Sequence, residues 1–229
     1  MIFLPWHRWY LLQMETFLQG LDCRVTIPYW DWSKHSYTWW NTSDIQGVWC
    51  PGPHCLGGDG ATKNDKCVLD GPFSKNAWNL TSSSGGGCLK RNFAKYIVLG
   101  DSEAVKMTLS MPVGFFNVFE WILREKFHND FHDAVKGTMA NHVTASNAPE
   151  FWLHHSFLDK LWHDWQSKGV QYKYHYNYLS NCKMPLTRYY SWQLLDSENL
   201  PEGIGVIYDN LFLNKSNWRR EGRSRLQAH

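Results

Sequence analysis

Two histidines one helical turn apart, His128 and His132, limit the folds open to this chain more than any other feature of its sequence. Residues four apart on a helix share one face, with Cβ atoms about 5–6 Å apart. Imidazole nitrogens bind first-row metal ions at about 2.0–2.1 Å. The pair can therefore grip one ion if its segment is helical and a second element supplies another ligand. Apolar periodicity predicts that helix over residues 115–136, ending near Gly137.

The further ligand has two candidates, His154 and His155, which are adjacent in a helix predicted over residues 148–168. Neighbouring helical residues point about 100° apart, so we do not expect both of them to bind one ion. An apolar stripe can be drawn through this helix with either histidine, and the periodicity therefore leaves the choice open.

A third helix is predicted over residues 5–21, where Pro5 suits a first turn and Gly20 lies near the end. His7 falls on its apolar stripe between Leu4 and Leu11, so it is either a packed core residue or a ligand. Residues 24–32 are predicted to be extended and aromatic.

Residues 33–92 differ from their surroundings by runs of glycine, several prolines and four of the six cysteines. They are predicted to form a loop-rich insert tied down by disulfides, with the pairing left open. Three Asn-x-Ser/Thr sequons, at Asn41, Asn79 and Asn214, accompany the cysteines. Together these features favour a secreted protein or one in the secretory lumen. Because the chain starts without a signal peptide, we expect its natural N-terminus to lie upstream.

Several classes of function are disfavoured. A net charge of +2 offers no concentrated basic surface for nucleic acid, and no apolar run reaches the roughly 18 residues of a membrane span. The chain has neither the HExxH of zinc proteases nor paired CxxC motifs. Glu125 and His128 match the ExxH of di-iron bundles, but the second copy that such bundles need is missing.

Four stretches in order resemble the tyrosinase family of type-3 copper proteins, and two segments of the cysteine-rich insert, residues 67–73 (CVLDGPF) and 88–93 (CLKRNF), resemble its invertebrate-type members. Residues 3–10 (FLPWHRWY) resemble the end of the first copper motif, and residues 28–32 (PYWDW) resemble the segment that follows it. Residues 128–132 (HNDFH) and 148–159 (APEFWLHHSFLD) resemble the second copper motif. The resemblance covers most of residues 1–210.

The resemblance implies a mainly α fold with little strand, built on the antiparallel four-helix-bundle core of di-copper proteins and long disulfide-tied loops. It implies one tyrosinase copper-binding domain over residues 1–229, with residues 33–92 as an insert and 171–229 as a C-terminal extension. The family's first copper helix, with two ligands upstream of His7, has no counterpart here. We therefore expect either an N-terminally incomplete piece of an oxidase, the favoured explanation, or a natural short form with one copper.

Carried over by motif, the resemblance makes His128, His132 and His155 the ligands of the second copper, and His7 the third ligand of the first. It links Asn129 to deprotonation of the phenol, with Glu120 as an accompanying acid. The same comparison places Phe151 and Met139 at the substrate pocket. Arg8 and Asp159 are expected to form a structural ion pair. The other histidines match no ligand position; they are His35, His54, His142, His163, His175 and His229.

The activity implied is copper-dependent oxidation of monophenols or diphenols to o-quinones by dioxygen. For the chain as given, with one complete ligand set, little or no turnover is expected. Two alternatives remain open: an oxygen-binding unit like those of molluscan haemocyanin, and a non-catalytic protein that holds a single metal. Zinc also fits three imidazoles, so copper rests on the resemblance.

Overall fold

The computed structural model describes residues 2–45, 47–176 and 183–209. Its α-helices are α1 (Phe3–Leu21), α2 (Ser102–Ser110), α3 (Phe116–Trp121), α4 (Asn129–Val135), α5 (Pro149–Gln166) and α6 (Val170–Lys173). A π-helical segment, Ile122–His128, lies between α3 and α4. Among the described residues, pairing of extended chain is confined to isolated bridges. The mainly α class with little strand is therefore confirmed.

The three predicted helices are confirmed, with ends that differ from the prediction by one or two residues. Helix α2 was not predicted from the sequence. The insert predicted over residues 33–92 is, in its described residues, irregular chain interrupted by short 3₁₀ turns, and its bounds stay a prediction. Two disulfides, Cys50–Cys55 and Cys67–Cys88, tie it down. Cys23 is exposed and forms no disulfide with any other described residue, and Cys182 lies outside the described residues.

By its internal contacts the chain divides into two compact units. The first is drawn from Met1–Ile27, Leu109–Glu120 and Leu158–His229. In it, Leu12 of α1 packs against a small apolar cluster from the C-terminal part of the chain, namely Met184, Leu194 and Leu200.

The charged centre of the first unit is Arg8, whose side chain is only 2% exposed. Its Nε donates to Oδ1 of Asp159 at 2.8 Å, which confirms the predicted ion pair. Its Nη1 donates to Gln166 and to the carbonyls of Leu194 and Leu195. Helix α1 is thereby bonded both to α5 and to the C-terminal turns.

The second unit is drawn from Pro28–Thr108 and Trp121–Phe157. Aromatic rings fill its core: Trp30 meets Trp49 edge-on at 5.3 Å and Phe131 at 5.8 Å between ring centroids. The backbone N–H of Trp30 donates to the carbonyl of Leu153, which ties the extended segment to the first half of α5. Among the described residues, no helix has both the length and the apolar character that a membrane span requires.

Asp159→Ala leaves the buried guanidinium of Arg8 without its carboxylate. Because an uncompensated buried charge is costly, we expect the free energy of unfolding to fall by about 3–5 kcal/mol. Glu103→Ala is the matched control, since it breaks an exposed Glu103–Lys106 pair and should cost at most about 1 kcal/mol. Urea denaturation measures both values. Equal losses would contradict the structural role given to Arg8.

His163 in α5 provides a pH test of the first unit. Its Nδ1 lies 2.9 Å from the hydroxyl of Ser197, and burial, assisted by the charge of Arg8, lowers its pKa below the usual 6.5. Below pH 6.5 the unfolded chain therefore binds a proton that the folded chain resists. The free energy of unfolding should fall as the pH drops through 6.5, and His163→Gln should fall less steeply. The exposed His54→Gln should keep the wild-type slope, and a wild-type slope in His163→Gln would contradict this account.

Candidate metal centre

Four histidines of the second unit gather at one place: His128, His132, His154 and His155. One nitrogen from each can be chosen so that all four lie within 4.8 Å of one another. Two nitrogens bound to one ion at about 2.0–2.1 Å are at most about 4.2 Å apart. The cluster is therefore within small side-chain movements of a coordination sphere.

The local structure explains how the cluster forms. His128 ends the π-helical segment and His132 lies one turn later in α4, so their ring centroids are 4.4 Å apart. A π-helical turn is uncommon and often marks a functional site. Helix α5 supplies His155, whose ring lies 5.0 Å from His128 and 5.7 Å from His132 between centroids. Three imidazoles from separate helical elements thus face a common point.

His132 has the bonding expected of a metal ligand. Its Nδ1–H donates to the carbonyl of Met139 at 2.6 Å, which leaves the lone pair on Nε2. That Nε2 is buried and has no hydrogen-bond partner among the described residues. Burial lowers the pKa of His132, so the ring is neutral at pH 7. A neutral imidazole with an unused buried lone pair is the form that binds a metal.

The next residue, Asn129, orients His128 in a similar way. Its Nδ1 lies 2.8 Å from Oδ1 of Asn129, and because that oxygen accepts only, the proton is on Nδ1. Nδ2 of Asn129 donates in turn to Oε2 of Glu125 at 2.7 Å. This chain of contacts fixes the amide of Asn129 and leaves the lone pair of His128 on Nε2.

The structure distinguishes His154 from His155, where periodicity could not. The indole N–H of Trp32 donates to Nδ1 of His154 at 3.2 Å. The lone pair of His154 is therefore on Nδ1, where it already accepts from Trp32, and its proton is on Nε2. Its ring also stacks on Phe131 at 4.1 Å. The ring of His155 instead packs against Phe151, with 4.1 Å between the ring centroids.

The donor set fits a transition metal. Three neutral imidazoles suit copper or zinc and leave coordination positions open. Glu125 is engaged by Asn129 and by an ion pair with Arg124, so it is not needed as a ligand. The structure therefore supports a site formed by nitrogens alone.

The remaining predicted residues lie as follows. Nδ1–H of His7 donates to the carbonyl of Phe3 within α1, and Glu120 is buried in α3. Both belong to the first unit and neither is a member of the cluster. Met139 is buried, and the contact that ties it to the site is its backbone carbonyl.

Sequence reasoning missed two residues of the site, Trp32 and Glu125. Trp32 is separated from His154 by 122 residues, so no local pattern could join them. Glu125 lies four residues before Asn129, and helical side chains at that spacing meet. The spacing could therefore have predicted the contact between Glu125 and Asn129.

Comparison with known proteins agrees with this geometry. The family model for the common central domain of tyrosinase matches residues 1–168. The chain belongs to the tyrosinase family. Membership implies copper as the metal.

Individual relatives support the same assignment. Tyrosinases from Streptomyces lincolnensis and Streptomyces antibioticus are each 36% identical to this chain, over 72% of it and 63% of their own length. A polyphenol oxidase from Thermothelomyces thermophila shares the fold, with a TM-score of 0.54 over 74% of this chain and 55% of that one, at 23% identity. The chain thus spans less than two thirds of the length of these tyrosinases.

We expect alanine at His128, His132 or His155 to abolish tight binding of copper, because each removes one of three ligands. His154→Ala should keep one copper per chain, since its lone pair already bonds to Trp32, and the exposed His54→Ala is the matched control. Metal analysis after dialysis against a chelator gives the stoichiometry. Loss of copper in His154→Ala together with its retention in His155→Ala would reverse the assignment.

Proposed function

We propose that this protein is a copper-dependent phenol oxidase that converts monophenols or diphenols to o-quinones with dioxygen. One observation supports it above the others: His128 and His132 each have their Nδ1–H bonded to an oxygen, so that their lone pairs are on Nε2, and both rings lie within 5.7 Å of the ring of His155. These three histidines are proposed as the second copper site of a tyrosinase-type oxidase. His7 is proposed as one ligand of the first copper.

Copper held by these imidazoles supplies the binding of dioxygen and the transfer of electrons. The chain's own residues hold that ion and shape its surroundings. Met139 and Asn129 fix the two histidines of the helical turn through Nδ1. Phe151 is 6% exposed and lies against His155, where its ring gives a flat apolar wall for a phenol. Met139 is proposed as a second lining residue.

Proton transfer is the step for which the resemblance names Asn129 and Glu120. In the structure, Oδ1 of Asn129 accepts from His128 and Nδ2 donates to Glu125. Asn129 is therefore proposed first as a positioning residue for His128. The role of Asn129 and Glu120 in removing the phenol proton stays a prediction.

The activity of the whole protein is part of the proposal, because the chain covers only 63% of the length of the two Streptomyces tyrosinases. Within the described residues, the cluster on α4 and α5 is the one group of three or more possible ligands. A non-catalytic protein with a single metal is therefore the second candidate, favoured by that count. The 229-residue chain is expected to bind one copper and to oxidise catechol little or not at all.

Secretion is proposed on two observations. The insert holds two disulfides, and such bonds persist in oxidising compartments. Asn41 and Asn79, which begin two of the sequons, are both exposed.

A chimera tests the oxidase directly. The region of the Streptomyces lincolnensis tyrosinase upstream of its counterpart of His7 is joined to this chain, so that the chimera carries the further first-site ligands expected of the family. We expect the copper-loaded chimera to bind two copper ions and to oxidise catechol, at a rate that His155→Ala lowers at least a hundredfold and His54→Ala leaves unchanged.

Two other results would decide against an oxidase. Reversible uptake of dioxygen by the two-copper chimera, without quinone formation, would indicate an oxygen carrier. Failure of the folded chimera to bind more than one ion would favour the single-metal protein.

A further inference from the structure

The end of the loop insert contacts both elements that carry the metal ligands. We name residues 90–94 the strap. The backbone N–H groups of Asn92 and Ala94 donate to the carbonyls of Val135 and Ala134, at 3.1 and 2.7 Å. Both carbonyls belong to the last turn of helix α4, which carries His132. The strap therefore supplies donors to carbonyls that have no partner within the helix.

The strap also fixes the turn that follows α4. The N–H of Thr138 donates to the carbonyl of Lys90 at 2.9 Å, and the N–H of Lys90 donates to the hydroxyl of Thr138 at 3.0 Å. Gly137 permits this approach, because a Cβ there would lie 2.2 Å from the Lys90 carbonyl oxygen. The next residue after Thr138 is Met139, whose carbonyl holds His132.

Arg91 connects the strap to the other ligand helix. Its Nε and Nη2 donate to the two carboxylate oxygens of Glu150, each at 2.8 Å, and both side chains are fully buried. Glu150 is the second residue of α5, next to Phe151 and five residues before His155. The two parallel hydrogen bonds fix the orientation of the first turn of α5 and its distance from the strap.

The third nitrogen of Arg91 holds the insert itself. Nη1 donates to the carbonyls of Leu56, Gly57 and Gly58, at 2.8–3.0 Å, and the guanidinium lies 4.8 Å from the centroid of the Trp49 ring. Lysine offers a single ammonium group and cannot reproduce this planar fork. The arrangement therefore depends on arginine and not on positive charge alone.

We propose that Arg91 is a positioning residue for the metal centre, acting through Glu150 on the helix of His155 and through the strap on the turn that orients His132. Neither Arg91 nor Glu150 is among the proposed ligands. The disulfide-tied insert is thereby a support of the metal geometry and not only a surface loop. The inference rests on the proposed ligand set His128, His132 and His155.

The test measures Cu(II) binding by the full 229-residue chain in competition with a chelator. Arg91→Lys and Glu150→Gln should each raise the dissociation constant for Cu(II) by about tenfold or more. This is the range found for groups that orient metal ligands. The electron paramagnetic resonance spectrum of the bound Cu(II) should change as well, because the ring directions change. Asp65→Asn is the control: it breaks the exposed Lys90–Asp65 pair beside the strap, and asparagine tolerates the left-handed backbone there.

Loss of stability is separated from loss of position by a double variant, Arg91→Met with Glu150→Leu. Replacing a buried ion pair by apolar residues is often tolerated, so its metal-free Tm should stay closer to wild type than those of the single variants. Its affinity for Cu(II) should still be at least tenfold weaker. Wild-type affinity and spectrum in the folded double variant, or losses that merely follow the unfolded fraction, would overturn the proposal.

The outcomes also separate this inference from the proposed function. Suppose that the wild type binds Cu(II), that His155→Ala abolishes this binding, and that Arg91→Lys and Glu150→Gln have the same affinity and spectrum as Asp65→Asn. In that case only the positioning role fails. If the wild type binds no Cu(II), the metal site and the positioning role both fail.

Discussion

The position of a proton on each imidazole is the constraint on which the metal centre depends. An imidazole with its proton on Nδ1 presents a lone pair on Nε2, and one with its proton on Nε2 does not. Met139 and Asn129 supply the acceptors that set the first arrangement in His132 and His128. Trp32 supplies a donor that sets the second in His154. Three hydrogen bonds therefore give His128 and His132 one tautomer and His154 the other, and the proposed ligand set follows this division.

Burial strengthens this division. In a low-dielectric core the charged form of histidine is disfavoured, as the lowered pKa of His132 shows. Aromatic rings provide that core, with Phe131 on one side of His154 and Phe151 beside His155. A neutral ring such as that of His132 offers its lone pair to an ion without first losing a proton. The many aromatic residues of the chain thus serve both the fold and the site.

The sequence predicted the elements better than the contacts between them. Apolar periodicity located α1 and α5 to within a few residues, because a buried stripe on a helix leaves a local record. It could not choose between His154 and His155, because that choice depends on Trp32, which is distant in sequence. The role of Arg91 was also beyond local reasoning, since its partners come from two loops and the start of α5.

The family resemblance filled part of this gap, since its motifs selected His155 and copper without any geometry. It did not supply the contact of Met139 with His132 or that of Glu125 with Asn129, which only the folded chain brings together. The irregular insert shows the same limit. Its cysteines indicated disulfides, but the pairs Cys50–Cys55 and Cys67–Cys88 came from the structure.

The most direct test of this account is nitrogen-15 NMR of the histidine rings in the metal-free protein at pH 7.5. Correlations between ring nitrogens and ring protons report which nitrogen carries the proton in each imidazole. The account predicts protonated Nδ1 in His128 and His132 and protonated Nε2 in His154. The same tautomer in all three rings, or a charged His132, would contradict it.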